Sequence, residues 1–389
     1  MKVHVWVPEL SATKGGIQTF SAHLLAALQT AIGSGRIRVF SKNDIVRPSG
    51  ILARETKCVS CGRWPKSVRT PAFAASVAWG GWRDRPHLVI ATHLNFSVAA
   101  RWLKRLTGAP YWCVAHGIEA WDLRRPDRVA GLRAADRILA VSTHTRERLL
   151  REQALPAEQV QVFPNTFDDR RFTPGSKPES LLQRFGIKPG SKIILTVARL
   201  VGLERQKGYD QILRALPRIR EAVPEAHYVL AGTGPDHRRI EQLIAELRLE
   251  GFVTLAGYVR DEELVDFYNL CDVFAMPGKG EGFGIVYLEA LACGKPVLAG
   301  NRDGSTDALL GGELGVLVDP DNVPEISQAL IEILTGRHAL AILRQPERLR
   351  ARVIETYGFD RFAQRVAELL AGHGAAASGH ASRRIPVPL

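Results

Sequence analysis

Two carboxylates eight residues apart, Glu281 and Glu289, bracket the segment Gly282-Phe283-Gly284-Ile285-Val286-Tyr287-Leu288. Its two glycines make a turn, and Ile285 to Cys293 reads as a helix opened by that turn. Glycine lets backbone N–H groups approach a bound anion, and the start of a helix favours negative charge beside it. A carboxylate in such a place is matched to hydroxyl donors, which a sugar or a ribose supplies. The segment therefore suits a molecule carrying both phosphate and hydroxyls, a sugar nucleotide. A buried helix behind an acidic loop is the plainer reading of the same residues.

Composition bounds the rest. A length of 389 residues suggests two or three domains, and 46% hydrophobic with 24% charged residues is ordinary globular usage. No apolar run approaches the ~18 residues of a membrane span, and the N-terminal stretch Met1 to Val7 alternates like a strand before Pro8. A cytoplasmic protein, or one at the inner face of the membrane, is expected. Five scattered cysteines argue against a disulfide framework, and Cys58-x-x-Cys61 lacks partners at zinc spacing, so an ordinary loop is expected there. Charge is unevenly spread. Met1 to Phe172 holds 26 Lys/Arg against 13 Asp/Glu, and the remainder is nearly balanced at 26 against 27. An anionic membrane surface, a diphosphate-linked acceptor, nucleic acid or a merely solvated basic face would each account for this. The membrane surface is favoured over nucleic acid, since no zinc finger, RNP-like strand or helix-turn-helix is found.

The elements that must position these residues alternate between strand and helix. Val3–Val7, Leu88–Ala91, Tyr111–Val114 and Arg137–Val141 are apolar runs of buried-strand type, with an amphipathic helix over Ile17–Thr30 entered through Gly15-Gly16 and another from about Ser142. Asn43 to Arg85 resists assignment. Pro164 to Pro178 reads as a linker. A second block follows, with strands at Lys192–Val197, Tyr228–Ala231, Val253–Leu255, Val273–Ala275, Pro296–Ala299 and Val316–Val318, and helices at Gly208–Ala222 and Pro235–Leu247. Alternating β and α with near-continuous apolar strands predicts an α/β fold, two Rossmann-like domains whose parallel sheets face a cleft. Ligands then belong at the carboxyl ends of the strands.

Glu281 to Glu289 resembles the E-x7-E motif of retaining, nucleotide-sugar-dependent glycosyltransferases of the GT-B fold, and the likeness extends from Met1 to about Leu370. It implies a first domain over 1–175 that binds acceptor and a second over 176–358 that binds donor. A helix over 359–371 would cross back to the first domain, and 372–389 would be a disordered tail. Arg199 and Lys207 resemble the Arg/Lys pair that holds the donor diphosphate, spaced more widely than in many relatives by Val201–Gln206. Two fixed cations there would stabilise the charge that grows on the leaving nucleoside diphosphate. By the same resemblance Glu289 takes the ribose hydroxyls and Glu281 the donor-sugar hydroxyls. The backbone of Gly282, Phe283, Gly284, Ile285 and Val286 meets the diphosphate. His116 faces the donor sugar, Gly16 and the Gly232-Thr233-Gly234-Pro235 turn lie at the donor, and Tyr258 lies near the base. Gly15, Glu119 and Trp121 are expected at the acceptor. Asn301-Arg302-Asp303-Gly304-Ser305 departs from the glycine-glycine-acid pattern usual in that loop. Asp319-Pro320-Asp321 reads as a turn and helix cap rather than a metal site.

The resemblance implies transfer of a hexose from a UDP- or GDP-sugar to a hydroxyl of a glycan or lipid-linked glycan, in cell-surface polysaccharide assembly, with no cofactor and no metal. With no evident nucleophile, a front-face mechanism is expected. A GT-B phosphorylase or sugar-nucleotide epimerase is the alternative within the fold. A non-enzymatic Rossmann nucleotide- or nucleic-acid-binding protein is the alternative outside enzymes.

Overall fold

The computed structural model describes residues 1–11, 15–48 and 50–381, without the side chains of 203–205 and 375–381. Among the described residues thirteen strands form two sheets, and every strand pairing is parallel. The first sheet contains β1 (Val3–Val7), β2 (Ile37–Ser41), β3 (Lys57–Ser60), β4 (Leu88–Ala91), β5 (Tyr111–Ala115), β6 (Arg137–Ala140) and β7 (Val160–Val162), in the order β3-β2-β1-β4-β5-β6-β7. The second contains β8 (Lys192–Val197), β9 (Ala226–Ala231), β10 (Val253–Gly257), β11 (Val273–Met276), β12 (Val297–Gly300) and β13 (Val316–Val318), in the order β10-β9-β8-β11-β12-β13. Central strands are buried on both faces, as helix-covered parallel sheets require.

In the first sheet, alternate strand residues feed two cores. Val3, Val5 and Val7 face α1 (Gly16–Ile32), whose Phe20, Leu24, Leu25 and Leu28 are buried among them. Trp6 on β1 points to the opposite side, where α2 (Lys66–Asp84), α3 (Ser97–Thr107), α4 (Pro126–Arg133) and α5 (Thr143–Gln153) contribute Phe73, Val77, Leu103, Leu132 and Leu149. Local chemistry fixes several helix starts. Pro126 opens α4 with its φ already helical, and the Ser142 hydroxyl caps α5 by accepting from the Thr145 N–H at 3.1 Å.

The C-terminal helix, Phe359–Ala381, does cross back onto the first half. Phe362, Val366, Leu369 and Leu370 form its buried stripe against α1, each burial contributing about 1.5–3 kcal/mol. The ring of Phe362 lies 5.9 Å from Phe20 and 5.0 Å from Phe163.

Two expectations are corrected. The helix does not stop near Leu370 but continues through Gly372 to Ala381, where His373 packs edge-on against Trp112 at 5.5 Å; residues 382–389 lie outside the described residues. The unassigned stretch 43–85 contains β3 and the 19-residue helix α2, and Cys58 lies on β3 rather than in a loop. Both Cys58 and Cys61 are free thiols. Among the described residues no helix is long and apolar enough to cross a membrane.

Candidate active site

Each sheet reverses its strand order once, between β1 and β4 in the first and between β8 and β11 in the second. Such switch points open a crevice at the strand carboxyl ends. The singled-out residues gather there. Gly15 and Gly16 follow β1, Arg199 and Lys207 follow β8, and Glu281 to Glu289 follow β11. Two helices begin beside these points, α1 and Ile285–Ala292. Each is capped by a glycine with no side-chain acceptor, and neither has an acidic residue in its first turn. Their first N–H groups have no intrahelical acceptor, the arrangement that receives anions.

Lys207 ends a 3-10 helix, Gly202–Lys207, formed by the extra residues between it and Arg199. That helix delivers the Lys207 ammonium to Glu281, with Nζ 2.5 Å from Oε2 and both side chains 18% exposed. The Glu281 backbone is held from the neighbouring loop: its N–H donates to Asp303 Oδ2 at 2.7 Å, and its carbonyl accepts from the Gly304 N–H at 2.9 Å. Asp303 is 2% exposed, and burial pushes its carboxyl up to about 6 while two backbone N–H groups, those of Glu281 and Ser305, oppose the rise. Asparagine at 303 offers one acceptor oxygen for those two donors, which costs about 1–3 kcal/mol. Asp303→Asn is expected to cut kcat about tenfold by releasing Glu281, with little change in donor KM. Steady-state kinetics check this, and unchanged kcat would remove the positioning role.

Glu289 lies eight residues further on, in the second turn of the helix Ile285–Ala292, and its Oε2 accepts from the Tyr268 hydroxyl at 2.6 Å. Burial raises its carboxyl to about 7, against the lowering effect of that hydrogen bond. The folded protein thus prefers protonated Glu289. The associated stability is complete below about pH 4.5 and is lost as pH rises through about 7. Glu289→Gln is expected to gain stability relative to the parent as pH goes from 5 to 8, by about 2–3 kcal/mol, read as a rise of its melting temperature against the parent's. Parallel melting curves across that range would refute the assignment. Hydroxyl donors from a ribose favour the charged form, so donor affinity should rise over the same interval.

From the first half, His116-Gly117 closes on this loop. A Cβ at Gly282 would lie 1.7 Å from the His116 carbonyl oxygen, and one at Gly117, whose φ is +133°, would lie 2.8 Å from Gly282 Cα. The His116 ring is turned to the Thr92 carbonyl, with Nε2 2.8 Å from that oxygen, and burial lowers its pKa to about 4. It is a neutral ring held in one tautomer. Glu119, expected at the acceptor, instead braces its own loop: Oε1 accepts the His116 N–H at 2.5 Å, and burial raises its pKa. Trp121 lies beside Gly117, with its ring under the Arg148 guanidinium at 4.8 Å.

Arg199 is exposed just past β8, and Tyr258 is 67% exposed just past β10. Gly232 and Gly234 have a packing reason of their own, since a Cβ at either would meet the carbonyl oxygen of Ala198 or Leu200 at 1.8 or 2.0 Å. Asp319 and Asp321 form a turn tied to Arg302, at 2.5 and 2.9 Å, and Asn322, not an aspartate, caps the next helix. Sequence reasoning missed Tyr268 and the inward role of Asp303. The only signal for the latter was a lone acid beside a glycine in a loop already placed near the donor.

Comparison with known proteins agrees with this fold. Residues 179–355 match the family model described as glycosyl transferases group 1, and residues 14–171 match that of glycosyltransferase family 4. A GDP-mannose-dependent alpha-(1-6)-phosphatidylinositol monomannoside mannosyltransferase of Mycolicibacterium smegmatis is 32% identical over 270 residues, 66% of this chain and 69% of that protein. The corresponding enzyme of Mycobacterium tuberculosis is 34% identical over 251 residues, 62% of this chain and 63% of its own. Among solved structures, sucrose-phosphate synthase from Thermosynechococcus elongatus superposes with a TM-score of 0.79 at 22% identity, over 97% of this chain and all of the other. HepE of Anabaena, in complex with UDP, gives 0.75 at 20% identity, over 96% of this chain and all of the other. The two sheets and their facing switch points are those of the GT-B fold. The chain belongs to the group 1 glycosyltransferases, and it is a hexosyltransferase.

Proposed function

We propose that this transferase is a retaining enzyme that moves a hexose from a UDP- or GDP-sugar to a hydroxyl of a glycan or lipid-linked glycan in cell-surface polysaccharide assembly. The observation that carries the reading is the Lys207–Glu281 pair, set at a switch point beside a glycine-opened helix that also bears Glu289. Donor binding divides the pair. The diphosphate takes Lys207, together with Arg199 and the N–H groups of the Gly282–Val286 turn. The sugar hydroxyls take Glu281, and the ribose takes Glu289. Charge develops on the departing phosphate beside two cations, so their attraction is greater in the transition state than before it. The phosphate oxygen then accepts the acceptor's proton on the face it leaves, which retains the anomeric configuration. His116, neutral, serves as a hydrogen-bonding contact rather than an acid, and Gly15 with Trp121 lines the acceptor side. No metal takes part. GDP-mannose is the first donor to test, because the mycobacterial relatives are described as dependent on it.

A thermal-shift screen against UDP, GDP, ADP and their common sugars is the test. A ligand bound by the folded state raises its melting temperature by mass action. A selective shift with GDP or UDP is expected, followed by an α-configured product from an α-configured donor in proton NMR. No shift with any nucleotide in a folded sample, or an inverted product, would overturn the reading.

A further inference from the structure

Four of the seven tryptophans are more than half exposed: Trp64, Trp79, Trp82 and Trp102. Three of them sit on two adjacent helices. Between Arg69 and Arg83, α2 carries no charged residue at all. Its inner residues Phe73, Val77, Gly80 and Gly81 are buried, as the sheet requires. Its outer residues Pro71, Ala75, Ala78, Trp79 and Trp82 are also apolar, yet exposed. A helix that is apolar all round is ordinarily buried on every side. On α3 the exposed residues include Trp102 at 58% and Leu106 at 70%. The helices touch where a Cβ on Gly81 would lie 2.5 Å from the Leu103 methyls, so their outer faces adjoin. The Trp79 and Trp82 rings are 5.4 Å apart.

Cations frame this apolar surface. Helices α2, α3 and α4 hold eight Lys/Arg and two aspartates. Both aspartates are already paired, Asp84 with Arg38 at 2.5 Å and Asp127 with Arg125 at 2.6 Å. The Arg105 guanidinium lies over Trp102 at 5.3 Å. Arg101, Lys104, Arg105 and Arg133 line an open groove of about 940 Å³ between α3 and α4.

We propose that the outer face of α2 and α3 docks on an anionic phospholipid bilayer, with Trp79, Trp82, Trp102 and Leu106 entering the headgroup region and the flanking cations on lipid phosphates. Indole rings favour that boundary, because one edge is polar and the body is not. Arg and Lys at the rim lay their apolar stems along the rings while their charges reach the phosphates. A symmetric contact with a second copy would set the same cations against one another. The inference rests on the proposed function in placing a lipid-linked acceptor at this surface, and its test keeps the two apart.

The test is flotation with phosphatidylcholine vesicles, with and without phosphatidylglycerol, at low and high salt. The full chain is compared with W79S/W82S/W102S and R101Q/R105Q, while melting temperature and nucleotide-induced shift are followed in each. The parent should float with anionic vesicles. The tryptophan variant should lose at least about tenfold in partitioning. The arginine variant should lose about fivefold per charge at low salt and show a shallower salt dependence. Nucleotide shifts should match across all three. A parent that shifts with nucleotide but stays off anionic vesicles at low salt overturns the proposal and leaves the transferase reading intact. So does a tryptophan variant that floats equally well, or a dimer in light scattering that this variant dissolves. Flotation without any nucleotide shift would sustain the surface and sink the donor site.

Discussion

Glutamine at position 281 is expected to leave a folded protein that binds nucleotide but transfers sugar at least about a hundredfold more slowly. In the structure the Glu281 carboxylate answers the Lys207 ammonium at 2.5 Å. In the proposed complex it answers sugar hydroxyls, and hydrogen bonds to a charged acceptor contribute about 1.5–3 kcal/mol each. Two such bonds correspond to roughly two to four orders of magnitude in rate, at about 1.4 kcal/mol per tenfold. The fold should survive, because the Glu281 backbone stays clamped by Asp303 and Gly304 whatever its side chain. Lys207→Met should behave differently. It removes a cation that meets the diphosphate in the ground state as well as the transition state, so donor KM should rise along with the fall in kcat. Kinetics of both variants on one donor check the pair of expectations. Near-normal turnover in Glu281→Gln would show that the carboxylate does not contact the reacting sugar.

The second sheet was nearly legible from sequence. Lys192–Val197 and Val316–Val318 match the observed strands residue for residue. Strands buried on both faces are short apolar runs between polar or glycine-rich punctuation, and chance seldom imitates that. The failures have physical causes too. Helix α2 hid because it is apolar all round, so it has no stripe of 3.6-residue period, and Pro71 and Gly80-Gly81 look like breakers. Strand β3 hid because it is a sheet edge with no fully buried residue. The end of the C-terminal helix hid because Trp112 and His373 meet across 261 residues of chain, a contact no local window contains. At the site, Glu281, Gly282, Gly284 and Glu289 were legible because they are close in sequence. Asp303 and Tyr268 were not, since each acts on a residue about twenty positions away through a side chain whose direction only the packed fold sets.

The contact between Gly282 and His116 bridges the two halves, and it makes Gly282→Ala the second severe substitution. The added methyl would sit 1.7 Å from the His116 carbonyl oxygen and 3.3 Å from Gly117 Cα. Both are backbone atoms, so no rotamer change relieves the overlap. Retreat on the other side is blocked as well, because the Gly282 carbonyl oxygen already lies 2.0 Å from where a Cβ would stand on Gly304. The two strand-end loops must therefore move apart, by an ångström or more. Groups misplaced by about 1 Å can lose on the order of a hundredfold in rate, and overpacking costs about 1–3 kcal/mol in stability. Glu289, Tyr268 and Lys207 all lie on the Gly282 side of the junction, so nucleotide binding, weakened where the Gly282 N–H meets the diphosphate, should fall by less than transfer does. The expected signature is a reduced but still present nucleotide-induced melting shift with transfer reduced about a hundredfold. If transfer remained at the parent level, the apposition of His116 and Gly282 would not be part of the working geometry. If binding and transfer fell together, the donor would have to depend on the first half as well as the second.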